Sequence, residues 1–163
     1  MKKNIILMGV SGCGKTSIGK LLAEKLNVPF YDGDDFHPEV NVEKMRSGKP
    51  LNDQDRHPWL ETLADQIEKM NQKKGGVLAC SALKQSYRET LKKVANSPVI
   101  FVYLKGDREL IADRLSEREG HYMPPKLLDS QFKDLEEPES SITVPINQTP
   151  EKIVKEIIDK LEG

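Results

Sequence analysis

Eight residues close to the start of the chain, Gly9-Val10-Ser11-Gly12-Cys13-Gly14-Lys15-Thr16, restrict its fold more than any other feature. They match the pattern G-x-x-x-x-G-K-[ST] at every fixed position. The run from Asn4 to Met8 ahead of them is apolar and reads as a strand buried on both faces. Behind them, Lys15 to Leu26 sets Ile18, Leu21, Leu22 and Leu26 on one helical face. A strand, a glycine-rich turn and a helix in that order aim successive backbone N–H groups at one anion, because glycine accepts angles that a Cβ forbids. The helix N-terminus adds partial positive charge at the same point.

The rest of the chain alternates short apolar runs with helical stretches. Val28 to Tyr31 reads as a second strand, ahead of the acidic turn Asp32-Gly33-Asp34-Asp35. Residues 37–58 hold no clear strand and read as a short helix with loops lining a site. Trp59, Leu60, Leu63, Ile67 and Met70 mark a long helix with Pro58 near its first turn, ended by Gly75-Gly76. Val77 to Cys80 is the third strand, Lys84 to Val94 a helix, and Val99 to Leu104 the fourth strand. Asp107 caps a helix through Leu110, Ile111 and Leu115. Arg118 to Lys126 breaks the periodicity with Gly120, Pro124 and Pro125 and reads as a mobile loop. Ser141 to Ile146 is a last strand, and Thr149-Pro150 opens a final helix carrying Ile153, Ile157, Ile158 and Leu161. This order predicts an α/β fold, a parallel sheet covered by helices on both faces. No linker divides it, so residues 1–163 form a single domain with a lid subregion at about 118–130.

Composition narrows the partners. A net charge of −1 and a pI of about 6.3 create no general field for nucleic acid or anionic lipid. No segment approaches the ~20 apolar residues of a membrane span, and the apolar run at Ile5 is too short for a signal peptide. The two cysteines, Cys13 and Cys80, make no disulfide framework. A cytoplasmic enzyme or binding module acting on small molecules is the expectation.

The loop residues Gly9, Val10, Ser11, Gly12, Cys13, Gly14, Lys15 and Thr16 are expected to hold ATP. Lys15 would reach the β- and γ-phosphates and Thr16 would offer its hydroxyl to Mg²⁺. Cys13 reads as a passive small side chain, with a redox role as the alternative. Ligands of open α/β sheets bind beyond the carboxyl ends of the strands, which places the acidic turn after strand two beside the loop. One aspartate there can orient or deprotonate an acceptor hydroxyl while another holds Mg²⁺ through water. Strand three ends Leu78-Ala79-Cys80-Ser81 without an acid, so Asp32 and Asp34 are the nearest candidates for the metal. His37, Lys44, Arg46, Arg56, Lys84 and Arg88 form a basic-polar set suited to an acidic acceptor, and an arginine fork fits a carboxylate. Arg114 and Arg118, four apart before the Gly/Pro loop, suit a lid that brings guanidiniums to the phosphates on closure.

These residues lie in longer strings that resemble the gluconokinase family from Gly9 to about Pro138. They include Asp32-Gly33-Asp34-Asp35-Phe36-His37-Pro38, Gly48-x-Pro50-Leu51-x-Asp53-x-Asp55-Arg56-x-Pro58-Trp59-Leu60 and Cys80-Ser81-Ala82-Leu83-Lys84-x-x-Tyr87-Arg88. Further on come Gly120-His121-Tyr122-Met123 and Leu128-x-Ser130-Gln131-Phe132. The resemblance implies a P-loop NTPase fold of the shikimate-kinase kind, with a five-stranded parallel sheet in the order 2-3-1-4-5 and a lid. It implies Mg·ATP, D-gluconate as acceptor, 6-phosphogluconate as product and the dimeric state common among such enzymes. The family's acceptor pocket maps to Asp34, Lys84 and Arg88, with His37, Lys44 and Arg56 as further substrate contacts. Lys15, Asp34, Arg114 and Arg118 carry the expected catalysis, and Thr16 with Asp32 the expected metal. A non-catalytic nucleotide sensor is the competing reading, which needs neither the acidic turn nor the paired arginines.

Overall fold

The computed structural model describes residues 3–93, 99–117, 125–139 and 141–162. The strands are β1 (Lys3–Met8), β2 (Phe30–Asp32), β3 (Gly75–Ala79), β4 (Val99–Lys105) and β5 (Ile142–Pro145). They form one sheet in the order β2-β3-β1-β4-β5, with every neighbouring pair parallel. The helices are α1 (Lys15–Leu26), α2 (Glu39–Arg46), α3 (Asp53–Gln72), α4 (Gln85–Lys93), α5 (Arg108–Ser116), α6 (Pro125–Asp134) and α7 (Pro150–Glu162).

The strand pleat divides the apolar residues between two cores. Ile5 and Leu7 face one side, with Leu22 of α1 and Ile153 and Ile157 of α7, while Ile6 and Met8 face the other, with Trp59, Leu63 and Ile67 of α3. The same alternation recurs in β4, where Val102 and Leu104 join the first core and Phe101 and Tyr103 the second. A strand covered on both faces is mostly apolar, and Ile5 to Met8 is the run visible in the sequence, with the buried Asn4 ahead of it.

Three boundaries differ from the sequence expectation. Helix α3 begins at Asp53, ahead of Pro58, because Asn52 and Asp55 close a reciprocal capping box: Asp55 N–H donates to Asn52 Oδ1 at 2.8 Å and Asn52 N–H to Asp55 Oδ2 at 2.9 Å. Gly75 and Gly76 do not end that helix but begin β3. Part of the expected lid, at 118–130, is the first half of α6, whose opening Pro125 occupies the one helical position that needs no N–H. Residues 118–124 of that lid, Arg118 included, lie outside the described residues.

Candidate active site

The carboxyl ends of β1, β2 and β3 meet at the glycine-rich loop. Gly12 and Gly14 take φ of 87° and 97°, and a Cβ on Gly12 would stand 2.9 Å from Leu115 Cγ, so both conformation and space demand glycine. Gly9 N–H ties the loop to β3 by donating to Ser81 O at 3.2 Å. Lys15 Nζ lies folded along the loop, donating to Gly9 O at 2.9 Å and Val10 O at 3.1 Å. Cys13 is buried, with Sγ packed under Gly9.

Asp32 ends β2 and joins the acidic turn to the loop. Its Oδ1 accepts Asp34 N–H at 3.0 Å, capping the short 3₁₀ turn Gly33–Phe36, while Oδ2 accepts Thr16 Oγ1–H at 3.2 Å. Gly33 packs against β3 so closely that a Cβ would lie 2.5 Å from Ala79 O. Trp59 Nε1–H then holds Gly33 O at 2.7 Å, and the turn is locked. The paired oxygens of Thr16 and Asp32 are the hard donors that Mg²⁺ takes beside phosphate oxygens and water. Cys80, which follows β3 in place of a metal-binding acid, is buried with its thiol pushed up to about 12. Among the described residues, no group of three or more acidic, histidine or cysteine side chains is placed to hold a metal ion by itself.

One cleft of about 170 Å³ is lined by Ser11, Lys15, Asp34, His37, Arg56 and Trp59, with Lys49, Ser81 and Gln131 closing its rim. The Asp34 side chain is 81% exposed to solvent in that cleft, yet protein walls surround it, and burial raises its pKa against the opposing pull of Lys15. Solvent contact governs the open cleft, and the burial effect grows as an acceptor displaces water. His37 stacks on Trp59 with ring centroids 4.1 Å apart and is held neutral, lowered to about 4 by burial and by Arg56. Asn41 Nδ2–H donates to Asp55 O at 2.8 Å and lies 3.2 Å from His37 Nδ1. Nδ1 is therefore the acceptor, and the ring proton sits on Nε2, 3.7 Å from Asp34 Oδ1.

Arg56 is 9% exposed, and its Nη1 donates to Tyr87 Oη at 2.8 Å and Asp134 Oδ2 at 3.3 Å. Those bonds fix the guanidinium plane at the cleft wall. Three other cations expected at the acceptor do not line this cleft. Lys44 Nζ pairs with Asp55 Oδ2 at 2.5 Å and fastens α2 to the start of α3. Lys84 pairs with Asp53 at 2.9 Å and lines a separate groove with Gln85, Lys133 and Asp134. Arg88, 3% exposed, donates to Ala82 O at 2.7 Å, to Glu136 O at 2.8 Å, and from Nε and Nη2 to Gln85 Oε1 at 3.3 and 3.2 Å, so its fork is taken up by two backbone carbonyls and the Gln85 amide. The pairings of Lys44 with Asp55, Lys84 with Asp53 and Arg88 with Glu136 span 11, 31 and 48 residues, which hid them.

Arg114 lies on the opposite side of the loop, donating from Nη2 to Ile146 O at 2.7 Å, with Nη1 near Gly14. A second cavity of about 250 Å³ runs there past Gly12, Gly14, Ser17, Gln148 and Pro150. The loop thus separates two cavities, one holding Asp34 and Arg56 and one holding Arg114. Lys49, Ser130 and Gln131 were not singled out by sequence reading as site residues, although Gln131 stood within a recognised string.

The sequence profile described as Shikimate kinase matches residues 11–162. A probable gluconokinase of Xenopus tropicalis is 47% identical, with 94% of this chain and 90% of that protein covered. The thermoresistant gluconokinase of Escherichia coli K12 is 43% identical, covering 96% and 92%. A crystal structure of a gluconokinase from Sinorhizobium meliloti superposes with a TM-score of 0.91 at 39% identity, covering 98% of this chain and 91% of that one. With its sheet order, its phosphate loop and relatives matched almost end to end, the chain belongs to the shikimate kinase family of kinases, among its gluconokinase members.

Proposed function

We propose that this chain transfers the γ-phosphate of ATP to D-gluconate, giving 6-phospho-D-gluconate and ADP. One observation carries the reading: Ser11 and Lys15 of the phosphate loop share a single cleft with the Asp34 carboxylate and the Arg56 guanidinium. A sugar acid has two features to recognise, a carboxylate at one end and a primary hydroxyl at the other. Arg56 meets the first with the edge of its fork turned away from Tyr87 and Asp134. Asp34 meets the second, orienting the hydroxyl and accepting its proton as the oxygen–Pγ bond forms and the bond from Pγ to the ADP oxygen breaks. Lys15 leaves the loop carbonyls for the β- and γ-phosphates, and Arg114, joined by Arg118 from the lid at 118–130, neutralises charge on the nucleotide side.

Thr16 and Asp32 would hold Mg²⁺, Asp32 through water. Bound there, the ion would draw charge from the β- and γ-phosphate oxygens. The chain would work as one domain over residues 1–163 and as the homodimer the resemblance implies, and its two free, buried cysteines accord with a reducing cytoplasm.

The test is coupled ADP release with gluconate, shikimate and nucleoside monophosphates as acceptors. Gluconate-dependent turnover well above the others is expected. Turnover on another acceptor alone refutes the acceptor assignment, and ATP binding without any stimulated turnover returns the chain to a nucleotide sensor.

A further inference from the structure

The loop N–H of Ser11 already has a partner, and that partner comes from the far end of the sequence. Ser11 N–H donates to Gln131 Oε1 at 2.7 Å, and Gln131 Nε2–H donates back to Ser11 Oγ at 3.0 Å. A backbone N–H can only donate, so the amide orientation is fixed by chemistry. Ser11, with Lys15, is the part of the loop that lines the acceptor cleft beside Asp34, on the side away from the Arg114 cavity. The phosphate nearest an acceptor hydroxyl is the one to be transferred, so the Ser11 edge of the loop, which opens on the acceptor cleft, is the side to which the γ-phosphate would come.

Gln131 is also mounted on a braced element. Three residues further along α6, Asp134 holds Arg56, and i, i+3 spacing keeps both side chains on one helical face. Beyond the helix, Glu136 N–H donates to Leu83 O at 2.7 Å and Glu136 Oε1 accepts Gln85 N–H at 2.8 Å. On its outer face Asp129 accepts from Arg108 Nε at 2.5 Å. The same helix therefore touches the phosphate loop through one side chain and the acceptor's arginine through another.

We propose that Gln131 is a positioning residue for the transferable phosphate: its amide occupies the Ser11 N–H that the γ-phosphate takes, and then donates from Nε2 to that phosphate. Resting on the phosphoryl-transfer reading above, this makes α6 a reader of triphosphate against diphosphate. A glutamine suits both states because it offers an acceptor to the loop N–H and a donor to the incoming phosphate. A glutamate in its place satisfies the loop but repels the phosphate.

The experiment compares MgADP with the magnesium complex of an imido-bridged ATP analogue by calorimetry, in wild type, Gln131→Glu and Gln131→Met. Gln131→Glu is expected to weaken the triphosphate analogue about tenfold or more while ADP stays within about twofold. Gln131→Met, which keeps the volume, is expected to lower kcat about tenfold with ADP affinity unchanged. Equal loss on both nucleotides, or on neither, overturns the proposal, as does Gln131→Met turnover within about twofold of wild type. A merely structural glutamine would lower the melting temperature and both affinities together. The nucleotide arms contain no acceptor, so they decide this point even if gluconate is not the substrate.

Discussion

Asp34 and Arg88 are charged residues of opposite fate, although both looked functional in the sequence. Asp34 is exposed in the cleft, 3.7 Å from His37 Nε2, with Lys15 the cation that opposes the upward push on its carboxyl. Replacing it by Asn keeps the shape and a weak acceptor but removes the base. Turnover of Asp34→Asn is expected to fall about 10²-fold or more, with gluconate binding by equilibrium titration within a few-fold of wild type. Unchanged turnover would remove Asp34 from the reaction. Arg88 is fully engaged, bonding Ala82 O in a turn where Ala82 itself holds φ of 42°. Arg88→Ala leaves buried carbonyls without donors, and urea unfolding is expected to show a loss of about 2–4 kcal/mol. The gluconate KM should stay within about twofold, because the guanidinium does not reach the cleft. Arg56→Lys should do the reverse, raising KM about tenfold by exchanging a fixed fork for a point charge.

Helix boundaries show what a sequence can reveal at the scale of an element. Strand β1 was legible because burial on both faces leaves an unbroken apolar run that no competing pattern imitates. Helix α6 was not, because Pro124-Pro125 reads as a breaker, whereas a proline at the first helical position is compatible with the helix that follows. The start of α3 was masked in the same way by Pro58, while the residues that fix it, Asn52 and Asp55, lie upstream. The capping box predicts its own test: Asn52→Ala is expected to lose about 1 kcal/mol and about 2–4 °C of melting temperature, with kcat unchanged. At the site, the phosphate loop and acidic turn were legible because their residues are contiguous. The basic set was not, since Lys44 and Lys84 find their partners 11 and 31 residues away and Arg88 adds to its local bonds with Gln85 and Ala82 one to Glu136, 48 residues on. Gln131 was missed for a related reason, its partner in the loop being 120 residues distant.

Folding of the whole molecule is tied to acidity through His37, because the ring that completes the cleft wall is also one the fold must keep neutral. Its side chain is 3% exposed, stacked on Trp59, with Nδ1 taken by Asn41 and the Arg56 charge nearby opposing protonation. Asp34 is the carboxylate that faces its Nε2, at 3.7 Å, and does not offset the burial. The folded pKa of about 4 lies below the ordinary imidazole value of 6.5, so between those values the unfolded chain binds the extra proton. Stability therefore falls as the pH is lowered through that window, and the loss is complete near the folded pKa. The span corresponds to roughly 3 kcal/mol at most. Asp53 and Asp55 act in a lower window: Tyr87 and Lys44 respectively hold their carboxyls below the ordinary value, so their contribution is lost only below about pH 4. Urea unfolding at pH 7, 6, 5 and 4.5 should thus show a decline that His37→Phe, which keeps a ring on Trp59, largely abolishes. A wild-type curve flat between pH 6.5 and 4.5, or an equal decline in His37→Phe, would mean that the fold does not hold this imidazole neutral.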